Sequence, residues 1–313
     1  MSAKRYDILT YFDTCVDIVA DMGDCVPEFG QKEQLIPSID VMLGGSACIF
    51  ACQCAKLGLR ASGAGVVGAD PFGALVKGQL AQCGVDTSLI AESAHTSTSA
   101  GILLCRDADR AILTADPSIR ALRADALPET ALSSARHLHV ASYYLLSGVN
   151  EGLPAVLATA KKNGLTVSLD TNWDPAERWE LPDDVLRHVD MLFVNENEAR
   201  GLSGRAGLDA AAAHLLRRVP MAVIKTGARG AVLYAQGCVL RKPALDVPVK
   251  DTVGAGDSFD AGFLYGFLGG LSLEESLRCA LFCGSMNVRG RGGTAGQATL
   301  PELTAYLNGP TAF

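Results

Sequence analysis

Asp251-Thr252-Val253-Gly254-Ala255-Gly256-Asp257-Ser258-Phe259-Asp260-Ala261-Gly262-Phe263 carries the pattern that decides the fold. Gly254 and Gly256 remove Cβ atoms where a backbone must approach something closely. Phe259, Phe263 and Phe267 recur every four residues, the period of one helix face. The stretch therefore reads as a glycine loop that opens a helix. Unpaired N–H groups and the helix dipole at such an N-terminus favour a nearby anion by about 0.3 to 2 kcal/mol, which makes it a cradle for phosphate or an oxyanion. Asp257 lies in the first turn. It fits both an ordinary dipole-favoured acid and a general base beside an anion hole, and spacing alone leaves the two open.

Outward from this loop, β-branched or aromatic runs at 6–12, 137–142, 165–170, 191–194 and 222–226 read as strands. Between them lie helix-length segments such as 150–163, closed by Gly164, and the Ala-rich 208–218. Strand and helix in alternation make βαβ units. The expected fold is α/β, a doubly wound and mostly parallel sheet flanked by helices, with ligands at the carboxyl ends of the strands. Residues 16–42 and 97–118 break the rhythm. The second contains two strand-like runs around Arg106-Asp107-Ala108-Asp109-Arg110, a β-hairpin pattern. The two segments are expected to form a small β-strand lid inserted in a single domain spanning 1–313.

Composition narrows the function classes. The chain has 313 residues, 49% hydrophobic and 19% charged, so it can bury a large core and is no disordered tail. A net charge of -7 argues against a broad nucleic-acid footprint. No apolar run reaches the ~20 residues of a membrane helix, and Met1 to Asp7 lacks the apolar core of a signal peptide, so a cytoplasmic location is expected. The ten cysteines never form a Cys-x-x-Cys pair. Cys48 with Cys52, and Cys279 with Cys283, have helical spacing and read as reduced core residues.

The stretch 251–263 resembles the signature of the ribokinase-like (PfkB) carbohydrate kinases. Further segments match in family order: Gly44-Gly45-Ser46-Ala47, Gly68-Ala69-Asp70-Pro71-Phe72-Gly73, Asn195-Glu196-Asn197-Glu198 and Lys225-Thr226-Gly227-Ala228-Arg229-Gly230. The resemblance covers nearly the whole chain. It implies transfer of the γ-phosphoryl group of ATP, with Mg2+, to a sugar hydroxyl, and a lid that often takes part in homodimers. Asp257 would be the base, with Gly254, Ala255 and Gly256 as the anion hole. Asp17, Asp13, Gly44, Gly45 and Asp170 would meet the sugar. Asn195, Glu198, Thr226, Gly227, Gly230 and Asn287 would serve the nucleotide, Glu198 placing magnesium through water. Asp251 and Val253 would share a monovalent cation site of the potassium type that some members possess.

Two departures bear on the substrate. Ile49 and Cys15 stand where the family usually has, or ribokinases have, an Asn, so two amides that specify hydroxyls are missing. An unusual sugar, a nucleoside, or a non-catalytic sugar-binding regulator on the same fold stay open as alternatives. Competing signals are weaker. Gly63-Ala64-Gly65-Val66-Val67-Gly68 has dinucleotide-fingerprint spacing but lies inside a strand, and no Gly-x-x-x-x-Gly-Lys-Ser/Thr loop exists. His137 and His139 alternate along a strand and lack a third ligand for zinc.

Overall fold

A computed structural model describes residues 4–106 and 109–309 of the protein. The strands are β1 (Tyr6–Tyr11), β2 (Cys15–Asp21), β3 (Ser38–Gly44), β4 (Ala61–Gly68), β5 (Ile90–Ser93), β6 (Ser99–Arg106), β7 (Asp109–Ala115), β8 (Ala135–Val140), β9 (Thr166–Asp170), β10 (Met191–Asn195), β11 (Met221–Lys225), β12 (Ala231–Ala235) and β13 (Cys238–Lys242). Nine of them form one sheet in the order β13-β12-β11-β10-β9-β8-β1-β4-β5. From β11 through β5 every pairing is parallel, and only the two pairings of β12, with β11 and β13, are antiparallel. The doubly wound sheet expected from the sequence is present.

Each central strand is buried on both faces, and period-2 alternation sorts its residues into two cores. Leu9 and Tyr11 of β1, Leu192 and Val194 of β10, and Ala222 and Ile224 of β11 belong to one core, with the helices Leu153–Lys162, Glu196–Ser203 and Leu208–Leu215. Ile8, Met191, Phe193 and Val223 point the other way, toward the helices Ser46–Lys56, Pro71–Gln82, Ala255–Leu268 and Leu273–Asn287. The phenylalanine stripe read from the sequence is real. Phe263 meets Phe193 edge-on at 5.5 Å, which seats the glycine-loop helix on the sheet.

Details of the local reading shift for physical reasons. The expected helix 150–163 is two helices, Ser147–Asn150 and Leu153–Lys162, with Pro154 in the first turn of the second, where its missing N–H costs nothing. Gly164 takes φ +79 just past that helix, as a C-terminal stop. Gly63 and Gly65 lie within β4 and open no helix. A Cβ on Gly63 would stand 2.6 Å from the Thr10 carbonyl and one on Gly65 2.9 Å from Thr14 Cγ2, so close packing on β1 and the turn after it explains these glycines.

The remaining four strands form a second sheet in the order β3-β2-β6-β7. It is drawn from the two segments that broke the βαβ rhythm. The β6–β7 hairpin pairs Arg106 with Asp109, and the expected turn residues Asp107 and Ala108 lie outside the described residues. Contact between this sheet and the main domain is apolar at its centre, where Val19 and Leu103 meet Ile49 and Val253.

Candidate active site

The strand order reverses at β1, which has β8 on one side and β4 on the other. A crevice opens at the carboxyl ends of strands at such a switch point. Asp13 follows β1 there, Ser142 follows β8, Asp170 ends β9, Asn195 ends β10 and Lys225 ends β11. Opposite them the helix Ala255–Leu268 begins at Gly254, whose φ of +73 is a left-handed turn. A Cβ on Gly254 would stand 2.8 Å from both Gly293 Cα and Ile49 Cγ2, so glycine is required by conformation and by space.

Asp257, in the first turn, faces Asp170, Lys225 and Asp13. Burial, with the Asp170 charge next, pushes its carboxyl up to about 8, although the Lys225 ammonium and a hydrogen bond from Ser46 pull the other way. A carboxylate held near neutrality beside an anion hole can accept a proton from a hydroxyl.

Ser46 belongs to a chain of polar contacts that ties four elements together. Asn172, at φ +53, donates through Nδ2 to Ser46 Oγ and to Ser142 Oγ (2.9 Å), and Ser142 Oγ donates to Asp13 Oδ2 at 2.6 Å. Asp13 also accepts the N–H groups of Ser46 and Ala47, both at 2.9 Å. The helix Ser46–Lys56 starts at Gly45, which has no side chain to cap it, so Asp13 does the capping from another element. Burial raises the Asp13 carboxyl to about 6 against these hydrogen bonds. Asp13→Ala orphans two buried N–H groups and the Ser142 hydroxyl. Urea unfolding of that variant should show a loss of about 2 to 3 kcal/mol.

The residues singled out in the sequence divide into those open to a ligand and those turned inward. Asp17 accepts no hydrogen bond from a protein donor among the described residues and faces the crevice from β2. Burial and Asp13 raise its carboxyl to about 6, and Arg110 acts in the opposite sense. Gly44 lacks the Cβ that would overlap the Asp17 carboxylate, and Gly45, at φ +82, lacks the one that would overlap the Asp13 carbonyl. Asp17 and Gly45 are half-buried, and Gly44 is buried beneath the Asp17 carboxylate.

Several others are corrected by their surroundings. Asp170 is 2% exposed and gives Oδ2 to the Lys225 ammonium at 2.6 Å, so it is part of a buried ion pair and does not line the open crevice. Asn287 is 0% exposed and donates Nδ2 to the Val253 carbonyl at 2.7 Å, bracing the loop rather than touching a nucleotide. Gly230 is dictated by packing, since its Cβ would collide with the Lys242 carbonyl, whereas Thr226 and Gly227 stay at the open strand end. Ile49 is buried between Gly254 and Gly293, and Cys15 is buried in the core that holds Leu9 and Tyr11, so neither presents an apolar wall to a substrate.

Asn195 and Glu198 form a reciprocal capping box. Asn195 Oδ1 accepts the N–H groups of Asn197 and Glu198, while the Glu198 carboxylate accepts Asn195 N (2.7 Å) and Nδ2 (2.5 Å). Both Glu198 oxygens are engaged, so a direct magnesium contact does not fit; burial raises its carboxyl to about 7. Among the described residues no cluster of His, Cys, Asp and Glu could hold a metal by itself. His137 and His139 share Ser168 Oγ at 2.7 Å each, and His139 stacks on Phe50, which makes them neutral core residues. All ten cysteines are free thiols.

Lys225 and Asp260 were missed in the sequence. Lys225 Nζ lies 3.3 Å from both Asp260 oxygens as well as 2.6 Å from Asp170. A lone Lys ending an apolar strand run, and an Asp placed i+3 from Asp257 between Phe259 and Ala261, were the available signals.

Comparison with known proteins gives the family and the fold. The pfkB family carbohydrate kinase pattern matches residues 9–300. An ATP-dependent ribose-1-phosphate kinase of Halopiger xanaduensis is 30% identical over 85% of this chain and 86% of its own. A 5-dehydro-2-deoxygluconokinase of Bacillus subtilis is 26% identical over 97% and 96%. The fold is shared with Arabidopsis thaliana ribokinase complexed with ribose and ATP, at a TM-score of 0.85, 21% identity and coverage of 98% of this chain and 100% of that one. With the family pattern running from within β1 to the start of the last helix, this chain belongs to the pfkB family of carbohydrate kinases.

Proposed function

We propose that the protein transfers the γ-phosphoryl group of ATP to a hydroxyl of a sugar or sugar-like acceptor bound between the second sheet and the crevice. The observation that carries this reading is the helix N-terminus at Gly254–Asp257, where the N–H groups that open the helix and a carboxylate of raised pKa share one turn. Asp257 takes the hydroxyl proton as the oxygen attacks phosphorus, and the Gly254, Ala255 and Gly256 N–H groups stabilise charge on the transferring group. Asp17 and the Gly44–Gly45 backbone orient the acceptor. Thr226 and Gly227 meet the nucleotide.

Magnesium, when bound, neutralises phosphate charge. It would be carried mainly by ATP oxygens and water, with Glu198 acting at a distance. A potassium-type ion at Asp251 and Val253 would share oxygens that already accept hydrogen bonds from Val253 N, Gly292 N and Asn287 Nδ2.

The acceptor is found by incubating the protein with MgATP and a panel of pentoses, hexoses, sugar acids, phosphosugars and nucleosides, and reading new phosphomonoester signals by phosphorus NMR. Nucleosides belong in the panel because a Sinorhizobium meliloti adenosine kinase shares the fold at a TM-score of 0.82. No phosphoester from any member, with folded protein, would count against the proposal. The pH dependence is a second check. Protonated Asp257 cannot act as base, so kcat/KM should climb as pH rises toward about 8 and level above it. A profile already flat from pH 5 would place the base elsewhere.

The second sheet also presents an uncovered outer face. Val41, Ile18, Ile102 and Leu113 are paired in register across all four strands, and Val41, Ile102 and Leu113 are exposed at 43%, 40% and 59%. An apolar row of this kind marks an interaction surface. A second copy of the chain covering it would make the homodimer implied by the family resemblance. Sedimentation at micromolar concentration should give a dimer, and Ile102→Glu with Leu113→Glu a monomer; a monomeric wild-type protein would dismiss the interface.

A further inference from the structure

We propose that Lys225 is a positioning residue for phosphoryl transfer, its ammonium seated behind Gly256 so that it holds the Gly254–Asp257 turn against the carboxyl end of β9. The inference rests on the phosphotransferase reading above and adds a group which that reading leaves unused. One atom makes all the contacts. Lys225 Nζ lies 2.6 Å from Asp170 Oδ2 at the end of β9 and 3.3 Å from each oxygen of Asp260 in the second turn of the helix. A Cβ added to Gly256 would stand 3.2 Å from the same nitrogen, with no other nearby atom closer than Lys225's own carbons. A side chain at 256 would therefore press on the ammonium, which would have to give way by a few tenths of an ångström.

The charges around the base make this ammonium singular. Asp257 faces Asp170 from β9, Asp13 from the turn after β1, Asp260 on its own helix, the Cys48 thiol from the helix Ser46–Lys56, and Lys225 from β11. Lys225 is the cation of the group. Its side chain is 15% exposed, and those of Asp170 and Asp260 are 3% and 1%. Burial opposes a charge on lysine, but Asp170 and Asp260 hold it well above its ordinary value, so it stays protonated. Helix attachment does not need it, because Phe259 and Phe263 already bury the helix against the sheet. What the ammonium adds is a fixed lateral position for the first turn. It also couples that turn to Thr226-Gly227, the next residues in the chain.

The test is a double-mutant cycle with Lys225→Met, Gly256→Ala and the pair combined. Turnover is measured on the acceptor identified by the panel, and affinity by calorimetry with MgATP. Lys225→Met should lower kcat by about a hundredfold while the MgATP Kd stays within about threefold, the split expected when an interaction matters chiefly in the transition state. Gly256→Ala should lower kcat about tenfold by displacing the ammonium, and should add little in the Lys225→Met background. Lys225→Gln, which keeps a donor on a side chain one atom shorter and removes the charge, gives the same readout if the Met variant does not fold. Turnover within threefold of wild type in the Lys225 variants would overturn the inference. So would a parallel fall of kcat, MgATP affinity and melting temperature, or an undiminished Gly256→Ala effect without Lys225. A wild-type protein that phosphorylates no acceptor would bring down the functional reading itself, a result distinct from all of these.

Discussion

Asp257→Asn should abolish most turnover, by about 10²- to 10⁴-fold, the contribution of a positioned general base. The amide keeps the shape of the carboxyl and cannot take a proton, so MgATP affinity should hold. The same substitution should stabilise the protein at alkaline pH. Folding raises this carboxyl from 3.8 to about 8, so the folded chain retains a proton that the unfolded chain releases. The stability this proton brings is complete below the unfolded pKa and fades as pH rises through the folded one. Asn never ionises and escapes the loss. Melting temperatures of the two proteins should therefore diverge more at pH 9 than at pH 5, with the variant higher. A variant that loses activity but melts identically at both pH values would leave the base in place and remove its buried, acid-ringed setting.

Gly254→Ala should damage both stability and catalysis. At φ +73 an alanine sits in the left-handed region, at a cost of about 1 to 2 kcal/mol. Its Cβ would also meet the Gly293 Cα and Ile49 Cγ2 at 2.8 Å, and backbone cannot yield as a flexible side chain does. The turn must shift, and with it the N–H groups of Ala255 and Gly256. Misplacing one preorganised donor to an anionic transition state costs about 2.7 to 4 kcal/mol of barrier, so kcat should fall by about 10² to 10³. Chemical denaturation together with kcat reads both effects. Unchanged turnover with lowered stability would mean that these N–H groups do not serve the reacting phosphoryl group.

The fold was legible because its signals are local and periodic. Residues 6–12, 165–170 and 191–194 are short runs rich in β-branched or aromatic residues, and the strands Tyr6–Tyr11, Thr166–Asp170 and Met191–Asn195 follow them within a residue or so. The Gly254–Phe263 pattern declares a left-handed turn and an apolar helix face in one stretch. Long-range pairing is another matter. Sequence placed Asp170 at a strand end but did not show that Lys225, 55 residues later, would claim it, because that contact depends on β9 and β11 flanking β10. Asn287 failed for a similar reason: a polar residue near a glycine-rich segment reads as a ligand, yet its amide was needed by the buried Val253 carbonyl. Asp13 was taken for a sugar contact, and its capping of the helix Ser46–Lys56 appears only once Gly45 is seen to leave that helix without a cap of its own. Glu198 combined both kinds of signal, since the spacing that fits the family motif is also the spacing of a capping box.

The most direct test of the account is transfer of label from γ-labelled MgATP to the acceptor panel, run side by side for wild-type protein and Asp257→Asn under conditions where both are folded and bind MgATP. The account predicts labelled sugar phosphate or a related phosphomonoester from the wild type and at least a hundredfold less from the variant, within the range for loss of a base. Equal labelling by the two proteins would contradict the assignment of Asp257, and no labelled acceptor from the wild type would contradict the reaction itself.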